Sequence, residues 1–172
     1  NRGGCAQICR WTFSYSDQNN NELSDTYQMC PKDLNMIENI KDMIDVGINS
    51  FKIEGRMRSI YYIATVLLSY RKIIDNIKNN TLTDELTSYY LKILNRCANR
   101  ESTPQFFKSF PTVKEQYYTD GKNEVSNQDF LAIVKSNDNG LITFEQRNYF
   151  EKGTKVQFIS PNFDTLDYTI EE

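Results

Sequence analysis

A short strand candidate lies between two amphipathic helices in the first half of the chain. The first helix is predicted to open after Pro31 and end at Gly47, and the second begins at Ser59 and keeps a helical period to about residue 78. Between them, residues 50–53 (SFKI) have the length and composition of a strand. Because crossovers of this kind join parallel strands, the pattern predicts an α/β fold with helices outside the sheet.

One strand cannot form a sheet, so we expect its neighbouring strands to lie upstream of Asn1. The chain also begins at Asn rather than Met. Both observations favour an internal piece of a longer protein over a complete domain.

The second half of the chain changes from helical to strand periodicity. A helix is predicted from about Asp84 to Asn99, followed by an irregular, aromatic-rich segment to Ser126. Strand-like runs then alternate with turns, of which 137–140 (NDNG) is typical of a hairpin. The pattern predicts a meander of short strands that begins a small β-barrel or sandwich.

Histidine is absent from the 172 residues, which removes Ser-His-Asp and Cys-His catalysis and His-ligated zinc. The net charge is −3, so the chain lacks the strong basic excess of a general nucleic-acid binder. No apolar run approaches the about 20 residues that a membrane helix needs, and no signal-peptide pattern is present. With only four cysteines, we therefore expect a cytoplasmic protein without membrane contacts.

Two cysteines near the start, Cys5 and Cys9, are separated by three residues and flanked by Arg2 and Arg10. Thiolates at this spacing can ligate an iron–sulfur cluster or zinc, and nearby arginines favour the thiolate. An ordinary role as small buried residues is the open alternative. A cluster needs about four ligands, so two cysteines would supply only part of such a site.

The end of the strand candidate carries three charged residues, Lys52, Glu54 and Arg56. Alternation along a strand places Lys52 and Glu54 on the same side. At the C-terminal end of a barrel strand, such groups lie at the mouth of the active site. There Arg56 would suit a carboxylate or phosphate, and Gly55 would allow close backbone approach to a ligand. The alternative is an ion network that only closes the end of the barrel.

Aromatic residues occur as four doublets, 61–62, 89–90, 106–107 and 117–118. Such rings can stack on RNA bases. Most of these positions fit the apolar faces of helices and strands, so we expect most of the rings in the core.

Three stretches of the chain match a known pattern in the same order: residues 1–11 (NRGGCAQICRW), 31–34 (PKDL) leading to 50–57 (SFKIEGRM), and 145–148 (EQRN) with Gly153. They resemble peptidase family U32, the collagenase-like proteases, whose members include prephenate-dependent hydroxylases of tRNA or ribosomal RNA. The resemblance covers nearly the whole chain. It implies the C-terminal part of a TIM-like barrel in residues 1–79, a helical and irregular linker in 80–126, and the start of a small, barrel-like all-β domain in 127–172.

The resemblance also implies an iron–sulfur cluster, expected to be 4Fe-4S, held by four cysteines. Only Cys5 and Cys9 fall on that motif, so the other ligands are expected upstream of Asn1. Cys30 and Cys97 lie off the family pattern, and Asn99 replaces a His often found there. These departures argue against Cys30 and Cys97 as ligands.

The function that the resemblance implies is hydroxylation of RNA, with the wobble uridine of tRNA as the target and prephenate as co-substrate. Lys52 and Arg56 would bind an anionic group of prephenate or RNA, Glu54 would orient them, and Arg2 and Arg10 would contact the substrate. Partners would be tRNA or rRNA, with a paired family subunit as a further candidate. The isolated piece is expected to be inactive, because an incomplete barrel lacks most of its site.

Two other functions stay open at this point. A collagenase-like peptidase is the first, although the sequence offers no His and no identified nucleophile–base pair. A non-catalytic module that binds RNA or a partner is the second. Acidic residues outnumber basic ones after residue 100, which disfavours RNA as the ligand of the β-domain.

Overall fold

The computed structural model describes residues 5–22, 26–56, 58–97, 100–117 and 129–171. The chain divides into two compact units, Asn1–Asn39 with Ala98–Val125 and Ile40–Cys97 with Ser126–Glu172. The described ranges contain both helices and strands, and the strands form four two-stranded sheets. The mixed α/β content agrees with the predicted fold class, and these ranges contain no closed barrel.

The first unit is built on two very short sheets. Strand β1 (Cys30–Pro31) pairs antiparallel with β4 (Gln116–Tyr117), and β2 (Asp33–Leu34) pairs parallel with β3 (Ser102–Thr103). Each partner is far away in sequence, so this unit depends on non-local contacts.

The predicted start of the first helix is wrong. The backbone N–H groups of Lys32 and Asp33 donate to the carbonyls of Glu115 and Glu101, each at 3.0 Å, so this segment is extended and not helical. The helical turn starts later, where the Asn35 side chain accepts a hydrogen bond from the Ile37 N–H at 3.1 Å. A 3-10 turn, Ile37–Asn39, leads into the short helix α1, Ile40–Asp45.

The helix ends where the sequence predicts. Gly47 has a φ of 92°, and the N–H groups of Gly47 and Ile48 donate to the carbonyls of Ile44 and Met43. This is the Schellman arrangement, which requires a left-handed residue and therefore favours glycine.

The predicted strand at residues 50–53 does not form, because a strand needs a hydrogen-bonded partner and this segment pairs with none of the described strands. Residues 51–55 instead run as irregular backbone into the turn before the next helix. The strand prediction rests on local composition, which cannot show whether a partner is present.

Two long helices form the core of the second unit. Helix α2 (Ile60–Lys78) begins at Ser59, whose Oγ accepts a hydrogen bond from the Tyr62 N–H at 3.1 Å. Helix α3 (Asp84–Cys97) packs against it. Their buried residues follow the helical period: Val66 and Ile73 on α2, and Tyr90, Ile93 and Leu94 on α3.

Two hairpins complete the second unit. Strands β5 (Ala132–Asp138) and β6 (Leu141–Gln146) meet at Asn139 and Gly140, both with positive φ as the predicted turn requires. Strands β7 (Lys155–Ser160) and β8 (Phe163–Thr169) form the second hairpin. The meander is confirmed, and each hairpin is a separate two-stranded sheet.

The hairpins contact the two helices through specific side chains. Tyr61 of α2 stacks on Phe130, with ring centroids 5.1 Å apart. From α3, the Tyr89 hydroxyl bonds Thr165 at 2.8 Å, and Arg96 donates to Gln157 at 2.7 Å. None of the helices described is both long and apolar enough to cross a membrane.

Candidate functional site

The cysteine motif of the first unit forms a tight local turn. Gln7, midway between the cysteines, has a φ of 52°, and its N–H donates to the Cys5 sulfur at 3.3 Å. A 3-10 turn, Ile8–Arg10, then carries Cys9. Cys5 is exposed and Cys9 is half-buried, so both sulfur atoms are placed where a ligand can reach them.

This turn has the donor chemistry expected for part of an iron–sulfur site. Both thiols are free, and a backbone N–H already points at one sulfur, as happens around cluster sulfurs in proteins. The described ranges hold no group of three or more Cys, Asp or Glu side chains that could bind a metal ion. Cys5 and Cys9 therefore fit two of the about four ligand positions of a cluster and do not make a complete site.

The arginines predicted beside the cysteines are only partly visible. Arg10 is half-buried at the end of the 3-10 turn, and its N–H donates to the Gln7 carbonyl at 2.8 Å. Arg2 lies outside the described residues.

Cys30 belongs to a buried charged cluster of the first unit. Its sulfur accepts a hydrogen bond from Arg100 Nη1 at 3.2 Å, while Arg100 Nη2 donates to Asp33 Oδ1 at 2.6 Å. Cys30 itself is fully buried. This arrangement gives Cys30 a structural role, in which one guanidinium joins a thiol and a carboxylate.

Cys97 is also buried, but in the second unit at the end of α3. Its thiol donates to the Leu94 carbonyl at 3.2 Å, and burial raises the pKa of Cys97 to about 11. A thiol that holds its proton this firmly is a poor metal ligand, because ligation requires the thiolate.

The charged loop of the second unit brings Lys52, Glu54 and Arg56 together. Glu54 Oε1 accepts a hydrogen bond from the Arg56 N–H at 3.0 Å, and Glu54 Oε2 lies 3.9 Å from Lys52 Nζ. The side chain of Lys52 is 86% exposed and that of Glu54 72% exposed. The loop therefore presents one carboxylate between two cations to the solvent, a pattern that can bind an anion.

The protonation state of Glu54 follows from these contacts. The hydrogen bond from the Arg56 backbone, with a smaller contribution from the Lys52 charge, lowers the pKa of Glu54 below its usual value of 4.5. Glu54 is thus ionised at neutral pH and can orient cations, but it cannot act as a general acid.

Gly55 has a different role from the one that the sequence suggests. A Cβ atom at this position would overlap with the Cδ1 of Ile63 on α2. The Gly55 carbonyl also accepts a hydrogen bond from the Arg58 N–H at 2.9 Å. The close approach is therefore to the protein's own helix, and it fixes the charged loop against the start of α2.

The predicted site residues fall into two groups. Cys5, Cys9 and Arg10 belong to the first unit, and Lys52, Glu54 and Arg56 belong to the second.

The aromatic doublets behave largely as predicted. Tyr90 is buried and Tyr61 is half-buried against Phe130, whereas Phe106 and Phe107 are exposed. The residues that sequence reasoning missed are single aromatics on the polar segment after the cysteine motif: Trp11, Tyr15 and Tyr27. The signal that could have found them is the alternation of aromatic residues at 11, 13 and 15.

Comparison with known proteins identifies the class of protein. The model of peptidase family U32 matches residues 1–117, and that of the peptidase family U32 C-terminal domain matches residues 126–172. The chain belongs to peptidase family U32.

Relatives within this family carry different functional names. The chain is 39% identical over 180 residues to tRNA hydroxylation protein P1 of Bacillus subtilis strain 168, covering 99% of this chain and 42% of that protein. It is 41% identical over 88 residues to a collagenase of Porphyromonas gingivalis strain W83, covering 49% of this chain and 21% of that protein. It is 35% identical over 78 residues to the 23S rRNA 5-hydroxycytidine C2501 synthase of Escherichia coli K12, covering 45% of this chain and 12% of that protein.

The chain spans less than half the length of each of these relatives. No solved structure matches it.

Proposed function

We propose that this chain is part of an RNA hydroxylase that acts on the wobble uridine of tRNA, with prephenate as co-substrate and an iron–sulfur cluster as cofactor. The observation that carries the proposal is the 39% identity to a tRNA hydroxylation protein along 99% of the chain. The identity to an rRNA hydroxycytidine synthase supports the same class of reaction on RNA.

In this proposal Cys5 and Cys9 hold two ligand positions of the cluster, which is expected to be 4Fe-4S. The exposure of Cys5 and its N–H···S contact support this assignment. When bound, such a cluster supplies one-electron transfer. The remaining ligands would come from parts of the protein that this chain does not contain.

The charged loop supplies the anion-binding groups. Lys52 and Arg56 would bind a carboxylate of prephenate or a phosphate of the RNA, and the ionised Glu54 would hold the two cations in place. Arg2 and Arg10 would contact the substrate near the cysteine motif.

The architecture proposed for the whole protein is a TIM-like barrel that includes residues 1–79, a linker over 80–126 and a β-domain from 127. The ranges of the two family models support the last boundary. Free thiols at all four cysteines fit a reducing, cytoplasmic location. A paired family subunit is a further proposed partner, and the 172-residue chain alone is expected to be inactive.

Peptidase activity is the second candidate, favoured by the identity to the collagenase of P. gingivalis. That match covers only 49% of the chain. The sequence contains no histidine, and no nucleophile–base pair is found among the described residues. Purified full-length protein that cleaves gelatin would support this candidate over the hydroxylase.

The test of the hydroxylase is mass spectrometry of tRNA from cells that lack the gene. Loss of hydroxyuridine at the wobble position, restored by the wild-type gene, is expected. Lys52→Ala and Arg56→Ala should restore far less, while Lys152→Ala in the exposed turn before β7 is the matched control. Unchanged hydroxyuridine in the deletion strain would contradict the proposal.

A further inference from the structure

The segment after the cysteine motif presents a pair of stacked aromatic rings to the solvent. The rings of Tyr15 and Tyr27 are 4.9 Å apart and nearly parallel, with an interplanar angle of 13°. Phe13 supports Tyr27 from the side, at 5.9 Å. Tyr15 is 59% exposed and Trp11, two residues before Phe13, is 55% exposed.

The backbone holds these rings in place. Phe13 and Tyr27 exchange two N–H···O bonds of 2.8 Å, so they form a closely paired antiparallel bridge. The same pairing continues to the cysteine motif, where the Met29 N–H donates to the Cys9 carbonyl at 3.0 Å. The aromatic rings and the cysteine motif therefore belong to one hydrogen-bonded structure.

A polar turn closes this structure at the other end. The Asp17 carboxylate accepts hydrogen bonds from the Asn19 and Asn21 N–H groups at 2.8 and 2.9 Å and from the Asn21 side chain at 2.9 Å. The amide side chains of Gln18, Asn19 and Asn20 are exposed along the turn. Amide groups both donate and accept, as the edges of nucleobases do.

The chemistry of this surface favours an unpaired base over other ligands. Flat aromatic faces next to amide groups suit stacking on a base and hydrogen bonding to its edge. The turn carries the carboxylates Asp17 and Glu22, which disfavour contact with a phosphate backbone. Exposed amides and carboxylates around the rings also differ from the apolar surroundings of a typical protein–protein hot spot.

We propose that Tyr15, supported by Tyr27, and Trp11 stack on unpaired bases of the RNA, with the amides of residues 18–20 contacting a base edge. This inference rests on the proposed function, since it assigns a base-binding surface to the same RNA substrate. It places base recognition on the structure that also carries Cys9.

The single tryptophan of the chain allows a direct test. The full chain is titrated with a single-stranded oligouridylate of about eight nucleotides, and the fluorescence of Trp11 is followed. Quenching is expected, and Tyr15→Ala should weaken binding by about tenfold or more because one stacking contact is lost. Tyr15→Phe should bind as the wild type does, which separates loss of the ring from loss of folding.

Phe110→Ala is the matched control, because Phe110 is an aromatic residue of the first unit that is 92% exposed and lies elsewhere in the sequence. It should bind normally. The affinity should also change little between about 50 and 200 mM salt, since stacking and not phosphate contact is proposed. A duplex of the same length should bind at least about tenfold more weakly, because its bases are not available for stacking.

Absence of quenching, equal binding of the duplex, or an equal loss in Phe110→Ala would overturn this inference. Its failure is distinguishable from failure of the proposed function. If the deletion strain loses wobble hydroxyuridine but Tyr15→Ala binds the oligouridylate normally, only the base-binding surface is wrong. If stacking is found but hydroxyuridine is unchanged in the deletion strain, the hydroxylase is wrong and the RNA-binding surface remains.

Discussion

The two units of this chain are stabilised in different ways. The second unit depends on a helical hairpin whose buried residues, such as Ile73 and Tyr90, recur at the helical period. The first unit has very short strands and depends on charged contacts between distant residues, such as Arg100 with Asp33. Charged pairs also occur in the second unit, but there they lie on the surface, as Arg71 and Asp75 do. Where regular secondary structure is short, polar side chains carry a larger share of the stabilisation.

The largest effect is expected from the helical core. Ile73 on α2 is fully buried, so Ile73→Ala should lower the free energy of unfolding by about 2–4 kcal/mol through lost burial and a residual cavity. Leu67→Ala on the same helix is the control, because Leu67 is 50% exposed and should cost under about 1 kcal/mol. Urea denaturation followed by circular dichroism measures both. Equal losses would show that the apolar face of α2 is not the one described.

A smaller loss is expected from the charged cluster of the first unit. Arg100→Ala leaves Asp33 without its ion pair and Cys30 without its donor, and should cost about 2 kcal/mol because the guanidinium is mostly buried. Arg71→Ala breaks an exposed pair within α2 and should cost at most about 0.5 kcal/mol. The same urea titration distinguishes them. If Arg100→Ala is as mild as Arg71→Ala, the contrast between the units does not hold.

The cap of α2 should have an intermediate effect between a core contact and a surface pair. Ser59→Ala removes the acceptor of the Tyr62 N–H and should destabilise the chain by about 1 kcal/mol. Ser59→Asp keeps an acceptor at the cap and should cost much less. Thermal unfolding of the three proteins tests this, and an equal decrease in the melting temperature for both variants would rule out a capping role.

The smallest effect is a local pH dependence in the first unit. Hydrogen bonds, first from the Asn21 side chain and then from its backbone, lower the pKa of Asp17 below 3.8. A depressed carboxyl pKa stabilises the turn above the unfolded value of about 3.9, and this stabilisation is lost as the pH falls through the folded pKa. NMR titration of the Asn21 amide signals should show a midpoint below 3.8. A midpoint at or above the unfolded value would mean that Asp17 does not hold the turn, and Asp17→Asn should show no such transition.

The extent of sequence prediction follows the same contrast between the units. The cap at Ser59, the left-handed end at Gly47 and the turn at Asn139–Gly140 are predicted correctly, because each depends on a few neighbouring residues. The predictions of a helix start after Pro31 and a strand at residues 50–53 are wrong. Both depend on which distant backbone groups are available as partners, and local composition does not contain that information.

The candidate site shows a similar division. The sequence identifies Lys52, Glu54 and Arg56 as a group, and their closeness follows from their positions in one short loop. It does not indicate that Gly55 packs on Ile63, that Arg100 contacts Cys30, or that Tyr15 stacks on Tyr27. Each of these contacts needs the chain to return to a point that it has left.

By itself, the amino-acid sequence determined the two long helices, the hairpin turns, the family membership and the types of side chain available for chemistry. These features arise from hydrogen bonds and side-chain periodicity within a few residues, or from motifs that are read directly. Only the tertiary structure decided that Cys30 is enclosed by an ion pair, that Glu54 is held by the Arg56 backbone, and that the exposed aromatic rings lie on the structure that carries Cys9. Such features depend on contacts between distant segments, whose free energy is realised only when the chain is folded.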